Sequence, residues 1–217
     1  MKLGVIMPTY NQAQYLIAAI GSVVEQVDEL VVVDDGSTDS TSVMLEACAG
    51  IRVVTHAQNQ GTAVAINTGF EALSDCEWVS WVSSDNVHTP NWRDGLFECV
   101  ADDVGVVYSA YSWDTRHMFT PYDPEHLVKD LNCFFGPSFM IRRDVWQSHR
   151  GAISHDYDNW LRVEEACWRN GLSIVASKKD LCWYRVHDER ATVVKRHEFD
   201  APRWQAKALA RRAIEFP

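Results

Sequence analysis

The 217-residue chain has the length and composition of one folded domain. Hydrophobic residues make up 47% and charged residues 23% of the chain, which excludes a disordered protein. Thirty Asp and Glu residues against twenty Lys and Arg residues give a formal net charge of -10. This balance argues against a nucleic-acid-binding surface, which would be basic, but it is compatible with an acidic pocket that recruits a divalent cation.

The six cysteines are widely spaced and form no CxxC pair, so the sequence predicts neither a zinc ribbon nor a redox motif. The apolar run Leu3–Met7 is too short for a signal peptide, and no run approaches the length of a membrane span. We therefore expect a cytoplasmic protein whose cysteines are reduced core residues.

The first elements are predicted to be a strand, a polar loop and a helix. Residues 2–7 form the strand, and Pro8–Asn11 form the loop that leaves it. Residues 12–26 place apolar side chains at the spacing of one helix face. The loop lacks the GxGxxG sequence of a dinucleotide-binding turn, which counts against a nicotinamide-dependent enzyme.

A run of β-branched residues that ends in two carboxylates gives the clearest indication of a ligand-binding edge. Val31–Val33 suit a strand that is buried on both faces, as in a parallel sheet. Asp34 and Asp35 follow at its carboxyl end, where open α/β sheets bind ligands. Gly36 permits a turn, and Ser37–Asp39 favour the start of a helix. The stretch therefore predicts a strand, an acidic rim and a helix.

The next elements repeat the order of strand and helix. Residues 51–55, 77–82 and 104–108 are predicted strands, and a helix extends to Leu73 between the first two. Ser83–Asn86 follow the strand over 77–82, so a second acidic site is expected at the same edge as the first. This succession predicts a mostly parallel sheet with right-handed crossovers.

The second half of the chain mixes helix, strand and aperiodic sequence. Thr89 followed by Pro90 predicts a helix start with Thr89 as the N-cap. Residues 113–132 lose periodicity and accumulate Asp, His, Pro and Tyr, so we expect them to face the substrate. The remaining predicted elements are a strand over 133–142, a helix over 157–169, strands over 172–176 and 181–186, and a terminal helix over 201–216.

Six short motifs occur in a fixed order along the chain. They are Val5–Asn11, Val33–Asp39, Asn59–Gly61, Ser84–Asn86, His155–Arg162 and Tyr184–His187. Together they resemble the family 2 glycosyltransferases, which have the GT-A fold. The resemblance implies a single α/β, Rossmann-like GT-A domain: a mostly parallel central sheet, flanking helices and a small antiparallel portion on the acceptor side.

The resemblance also implies a nucleotide-sugar donor at the acidic edge. Asp35 would accept a hydrogen bond from the base, and uracil is the expected base, although thymine or guanine would make the same contact. The alternative is that Asp34 and Asp35 only cap the turn, and we assign that role to Asp34. The implied donor-binding residues are Pro8, Tyr10, Asp35, Gly61, Ser84 and Asp85.

Ser83–Asn86 occupy the position of the family's DxD-type motif, which holds Mn²⁺ or Mg²⁺ against the donor diphosphate. Asp85 can supply one oxygen ligand, but Ser83 stands where the family usually has its first acid, which predicts weaker metal binding. The resemblance implies His187 as a second ligand or, when protonated, as a stabiliser of the leaving phosphate. The alternative is a surface histidine. His56 and His117 show no ligand spacing and are interpreted as structural.

Asp156 is the predicted catalytic base. Transfer of a sugar to a hydroxyl requires a base within hydrogen-bond reach of that hydroxyl. In the family the equivalent acid precedes a helix that carries Trp-Leu-Arg, which is Trp160–Arg162 in this chain. Asp158 is the rival candidate. Helix capping is the structural alternative for Asp156, and it is compatible with catalysis.

These expectations describe an inverting, metal-dependent hexosyltransferase of glycan biosynthesis with a glycan, lipid-linked or protein acceptor. A domain over residues 1–200 would contain a nucleotide-sugar half, 1–110, and an acceptor half, 111–200. An amphipathic helix over 201–217 would follow, with basic residues that allow weak contact with an anionic membrane. Trp113 is a candidate for stacking on a sugar.

Two other functions are compatible with the residues. The missing acid at Ser83 suggests a sugar-nucleotide-binding or glycan-binding module that has lost catalysis. A nucleotidyltransferase would share the layered fold and the metal, but the sequence shows no Gly-rich, basic loop after the first strand to hold a triphosphate.

Overall fold

The computed structural model describes residues 1–113, 115–123, 136–149 and 156–187. The strands in these ranges are β1 (Leu3–Thr9), β2 (Glu29–Asp34), β3 (Arg52–Thr55), β4 (Trp78–Trp81), β5 (Val87–His88), β6 (Val104–Trp113), β7 (Arg116–Met118), β8 (Phe139–Arg142) and β9 (Ser173–Tyr184). The helices are α1 (Ala13–Val23), α2 (Thr41–Glu46), α3 (Thr62–Ala72), α4 (Trp92–Phe97), α5 (Arg143–His149) and α6 (Asp156–Arg169).

One nine-stranded sheet organises these elements. Its strand order is β3-β2-β1-β4-β8-β6-β9-β5, and β7 pairs with β6. Pairing is parallel from β3 through β4 and between β6 and β9, whereas β8, β5 and β7 run antiparallel to their neighbours. The described residues thus confirm the α/β class and the mostly parallel sheet with a small antiparallel portion.

The apolar run of β2 is buried because helices cover both faces of the sheet. Val31 and Val33 belong to one core cluster, whereas Leu30 and Val32 belong to the other, as the alternation of a strand requires. The first cluster also contains Ile66 and Phe70 of α3, Trp146 of α5 and Trp160 of α6. The second contains Leu16 and Ile20 of α1, Leu45 of α2 and Trp92 and Leu96 of α4.

Several predicted element boundaries differ from the structure. The helix after Gly36 begins at Thr41 with Ser40 as its N-cap, the strand over 104–108 continues to Trp113, and the described part of the strand over 133–142 begins only at Phe139. The helix expected to start at Thr89 begins at Trp92 with Asn91 as its N-cap. The residues from Thr89 to Trp92 instead form a turn, in which the Trp92 N–H donates to the carbonyl of Thr89 at 3.0 Å. The two strands expected over 172–176 and 181–186 are a single strand, β9. Pairing with β6 continues along this strand despite several register shifts, so the exposed residues between the expected strands are part of it.

Among the described helices, none combines the length and the apolar character needed to cross a lipid bilayer. The predicted terminal helix over 201–216 lies outside the described residues, and so does the part of the aperiodic segment that follows Asp123. The first part of that segment forms β7, which folds back on the end of β6.

Candidate active site

Four neighbouring parallel strands end near one edge of the sheet. The register places Thr9, Asp34 and Thr55, the last residues of β1, β2 and β3, side by side. On the other side of β1, β4 ends at Trp81. The residues that follow these strands therefore lie at one edge, which is where an open α/β sheet binds ligands.

Asp34 is fully buried and caps the turn after β2. Its Oδ1 accepts a hydrogen bond from the N–H of Ser37 at 3.0 Å, and its Oδ2 accepts one from the hydroxyl of Ser42 at 2.5 Å. Gly36 within this turn has a φ of 74°, and a Cβ there would lie 2.6 Å from the carbonyl carbon of Gln58. The turn therefore requires glycine, and Asp34 has the capping contacts that the sequence predicts.

Asp35 is also buried, but different groups hold its carboxylate. His56 Nδ1 lies 2.7 Å from Asp35 Oδ1, and the N–H groups of Gln60 and Gly61 donate to Oδ1 at 2.9 Å and to Oδ2 at 2.8 Å. Burial raises the pKa of the Asp35 carboxyl, but these hydrogen bonds outweigh burial and hold the pKa below its usual value. The ionised carboxylate can only accept further hydrogen bonds.

Pro8 and Tyr10, the predicted base-pocket residues, flank Thr9 at the end of β1. Pro8 lies opposite Val33 of β2, beyond the last pair that β1 forms with β4, so the sheet tolerates its missing N–H. Tyr10 is 42% exposed. Thr9 Oγ1 is buried and has no hydrogen-bond partner among the described residues, which leaves it available to a ligand.

Asp85 and His187 are 102 positions apart in the sequence but in contact. Asp85 Oδ2 and His187 Nε2 are 3.0 Å apart, and the two side chains are 18% and 9% exposed. The Oδ1 of Asn86 accepts a hydrogen bond from the N–H of Arg185 at 3.1 Å, which ties the end of β9 to the loop after β4. The fold thus brings the two predicted metal ligands together.

The pair fits a divalent cation that accepts both oxygen and nitrogen ligands, such as Mn²⁺. Within the described ranges, no third His, Cys, Asp or Glu joins them in a cluster. A cation here would complete its coordination with diphosphate oxygens and water, as Mg²⁺ commonly does. Ser83 is exposed and Ser84 is buried, and as serines both bring a hydroxyl and not a carboxylate to this loop.

A cleft of about 340 Å³ opens beside His187. The Arg185 guanidinium carbon lies 4.7 Å from the ring centre of Tyr15 and 5.2 Å from that of Trp183. The ring of Tyr15 also contacts His187, with 4.5 Å between ring centres. Arg185 Nε is buried without a hydrogen-bond partner among the described residues. The cleft therefore presents a fixed cation that suits an anionic ligand.

Asp156 begins α6, but its side chain and that of Asp158 lie outside the described residues. One turn further along the helix, the ring of Trp160 stacks on Trp81 with 5.4 Å between centres and meets Phe139 edge-on at 4.8 Å. Trp81 is the last residue of β4. This packing anchors the first turn of α6 against the strand that leads to the proposed metal loop.

Three residues at this edge have site contacts that the sequence pattern does not predict. The pattern indicates only a structural role for His56, and it gives no individual role to Tyr15 or Arg185. For His56 a signal was present, because it directly follows β3 as Asp35 follows β2. For Tyr15 and Arg185 no local signal exists, because the packing of α1 against the end of β9 creates their contact.

Solved structures with a similar fold include two that contain a bound nucleotide-sugar. S. aureus TarS 1-349 in complex with UDP-GlcNAc matches 99% of this chain and 66% of its own chain, with a TM-score of 0.72 and 20% identity. The mannosyltransferase PcManGT from Pyrobaculum calidifontis, in complex with GDP-Man and Mn²⁺, matches 96% of this chain and 64% of its own, with a TM-score of 0.72 and 19% identity. At these identities the likeness shows the GT-A fold.

Sequence relatives include an uncharacterized glycosyltransferase of Rickettsia typhi, which is 33% identical over 214 residues covering 88% of this chain and 65% of that protein. The chain thus spans slightly less than two thirds of the length of this relative and of the two structures. The family model for glycosyl transferase family 2 matches residues 4–155, which is well over half of the sequence. The chain therefore belongs to glycosyl transferase family 2.

Proposed function

We propose that this chain transfers a hexose from a nucleotide diphosphate-sugar to an acceptor hydroxyl, with inversion at the anomeric carbon. The contact between Asp85 and His187 carries the proposal, because these two side chains would offer a cation an oxygen and a nitrogen ligand beside the cationic cleft of Arg185. Asp35 lies at the same edge of the sheet. A nucleotide diphosphate requires a polar contact for its base and positive charge for its phosphates, and this edge offers both.

The base of the donor would lie against Asp35. In the structure Asp35 Oδ2 accepts one hydrogen bond from the protein, which leaves it able to accept a second. Uracil and guanine both present a ring N–H beside a carbonyl, and the two similar structures contain a UDP-sugar and GDP-Man. Uracil is the proposed base, and Pro8, Tyr10 and Gly61 would line its pocket with the ribose.

The diphosphate would lie at the other end of the site. Asp85 and His187 would hold Mn²⁺ or Mg²⁺, and Ser84 would lie beside the donor. When bound, the cation neutralises the charge that develops on the diphosphate leaving group. Arg185 supplies a second positive charge in the same cleft, fixed by the rings of Tyr15 and Trp183.

Asp156 is the proposed general base. It would remove the proton of the acceptor hydroxyl as the oxygen attacks the anomeric carbon from the face opposite the nucleotide, so inversion needs no covalent intermediate. Its position at the first residue of α6 supports this role, because the N-terminus of a helix favours an ionised carboxylate.

The acceptor would be a glycan, a lipid-linked sugar or a protein hydroxyl, and it would approach the end of β6. Trp113 is 39% exposed there, and its ring centre lies 5.7 Å from that of Tyr184. Such a surface can stack on a sugar ring. Cytoplasmic location, weak membrane contact through residues 201–217, and the division into donor and acceptor halves at residue 110 remain parts of this proposal.

A thermal-shift titration tests the donor and metal sites together. UDP, GDP, dTDP and CDP are each added with Mn²⁺ or with a chelator, because a ligand that binds only the folded state raises the Tm. We expect UDP with Mn²⁺ to give the largest increase. The isosteric variant Asp85→Asn should fold with an unchanged Tm in buffer and should lose the Mn²⁺-dependent part of the increase.

An increase that is the same with Mn²⁺ and with chelator would contradict the metal site but leave the nucleotide site intact. No increase with any nucleotide would contradict the donor site. Binding of UDP without any transfer from a panel of UDP-sugars to a panel of glycans would contradict the catalytic part of the proposal and leave a binding module.

A further inference from the structure

His56 and Asp35 form a buried pair behind the proposed base pocket. His56 Nδ1 lies 2.7 Å from Asp35 Oδ1, and the two side chains are 9% and 4% exposed. The other ring nitrogen of His56, Nε2, lies 3.0 Å from the hydroxyl of Thr68 on α3. His56 is therefore fixed on one side by the end of β2 and on the other by a helix that packs on the sheet.

The chemistry of the three groups sets the direction of these hydrogen bonds. An ionised carboxylate only accepts hydrogen bonds, so Nδ1 of His56 carries a hydrogen and donates a hydrogen bond to Asp35. Thr68 can either donate to Nε2 or accept from it, because a hydroxyl does both. The bond from His56 to Asp35 is consequently present in both protonation states of the imidazole.

His56 and two backbone N–H groups occupy three of the four acceptor positions of the Asp35 carboxylate, so one position is left for a ligand. Each carboxylate oxygen has two lone-pair directions. Oδ1 accepts from His56 and from the N–H of Gln60, and Oδ2 accepts from the N–H of Gly61. One direction on Oδ2 is left, and its orientation depends on the rotation of the carboxylate, which His56 helps to fix through Oδ1 while Gly61 holds Oδ2.

We propose that His56 is a positioning residue that gives the donor site its selectivity among nucleobases. The inference rests on the proposed function, in which Asp35 contacts the base. A fixed carboxylate that only accepts will bind a base with a ring N–H, as in uracil or guanine. It will reject cytosine or adenine, whose ring nitrogen at the equivalent position is itself an acceptor.

Two substitutions separate the two contacts of His56. In His56→Asn the side-chain amide lies near the former position of Nδ1, so it can donate to Asp35 but cannot reach Thr68. In His56→Gln the amide lies near the former position of Nε2, so it can reach Thr68 but not Asp35. His56→Ala removes both contacts. If His56 acts by positioning Asp35, the Asn variant should keep the function of His56 and the Gln variant should lose it.

The experiment measures Kd by calorimetry for UDP, CDP and inorganic pyrophosphate, each with Mn²⁺, on the full chain. Circular dichroism first confirms that each variant is folded, and if His56→Ala is not, the Asn and Gln variants carry the test. We expect the wild-type preference for UDP over CDP to fall about tenfold or more in His56→Ala and His56→Gln, as the loss of one hydrogen bond to a charged group predicts. His56→Asn should keep most of the preference.

Pyrophosphate is the internal control, because it would bind at the phosphate end of the site and would not reach Asp35. Its Kd should be the same in all four proteins. Equal losses of preference in the Asn and Gln variants, or a parallel loss of pyrophosphate binding, would overturn the inference and make His56 a structural residue. If the wild type selects GDP instead of UDP, the same comparison is made between GDP and ADP.

The two proposals fail in different ways. If the wild type binds no nucleoside diphosphate, the proposed function is wrong, and the His56 inference is overturned with it. If the wild type binds UDP selectively and the His56 variants keep that selectivity, only the inference about His56 is wrong.

Discussion

Asp34 and Asp35 are identical side chains at consecutive positions, and they differ in what surrounds them. Successive residues at the end of a strand point to opposite sides, so Asp34 meets Ser42 of α2 and Asp35 meets His56 on the side of α3. The hydrogen bonds of Asp34 hold the turn after β2 and the start of α2, whereas those of Asp35 come from His56, Gln60 and Gly61, outside that turn. A ligand can therefore contact Asp35 without breaking the turn.

Asp156→Asn is predicted to abolish transfer while leaving donor binding intact. An amide cannot remove a proton, so the transfer rate should fall by about 10²- to 10⁴-fold. The measurement is UDP release from UDP-sugars with the acceptors that the wild type uses in a glycan panel. The UDP-dependent increase in Tm should be unchanged.

Asp158→Asn is the matched control, because it removes the same charge two residues further into α6. It should keep most of the wild-type transfer rate. If the two variants exchange these results, Asp158 is the base. If both retain full transfer, neither is.

The part of the site that could be predicted from sequence is the part set by local order. Asp35 directly follows β2, and Asp85 lies in the short loop after β4, so both could be placed at one edge. His187 could be placed beside them only through the resemblance. The proposed binding of the metal and of the nucleobase by these residues stays a prediction. The bond between His56 and Asp35 could not be predicted, because it depends on how closely β3 and α3 approach the end of β2.

At the scale of elements, the helices α1 and α3 each contain one glycine, and the surroundings of the two glycines differ. A Cβ on Gly21 of α1 would have no atom within 4 Å. A Cβ on Gly69 of α3 would lie 2.3 Å from Ile6 Cγ2 and 3.1 Å from Val33 Cγ2. Gly69 therefore lets α3 pack closely on β1 and β2, next to the strand ends that form the site, whereas Gly21 serves no such contact.

Alanine at these two positions should change stability in opposite directions. Gly21→Ala should raise the free energy of unfolding by about 0.5–1 kcal/mol, because alanine loses less backbone entropy in a helix. Gly69→Ala has the same propensity gain but should lower it by about 1–3 kcal/mol, because overpacking against Ile6 outweighs that gain. Urea unfolding monitored by circular dichroism measures both. Stabilisation by Gly69→Ala would contradict the close packing of α3.

Element type was easier to predict than element boundaries. Apolar runs predict β1 and β2 well, because helices on both faces bury every residue of these strands to some degree. The sequence splits β9 into two strands because Lys178 and Lys179 interrupt the apolar pattern. In the structure both lysines are exposed, but hydrogen bonding to β6 continues around them. Backbone pairing of this kind leaves no mark on the pattern of apolar residues.

At the scale of the whole molecule, the proposed donor and acceptor halves share one sheet and one core. The cluster that contains Ile6 and Val33 also contains Phe139, Trp146 and Trp160 of the acceptor half, and β8 of that half joins β4 to β6. Neither half can bury its apolar surface without the other. The proposed boundary at residue 110 therefore divides the chain by role and does not separate two folding units.

We therefore predict a single cooperative unfolding transition. Far-UV circular dichroism reports on the helices and strands of both halves, and fluorescence reports on the nine tryptophans, which include the cluster of Trp81, Trp146 and Trp160. The two signals should give the same urea midpoint, in the wild type and in Gly69→Ala. Separate midpoints would indicate two independently folding units and would contradict the single-domain prediction.

The contact between Asp85 and His187 also has a consequence for synthesis of the protein. Its two side chains leave the ribosome far apart in time, since nearly half of the chain lies between them. The proposed metal site cannot exist on a nascent chain before β9 has been made and has paired with β6. A cation or donor nucleotide would thus bind only to chains that have completed the sheet, and its binding would favour the finished fold over every shorter intermediate.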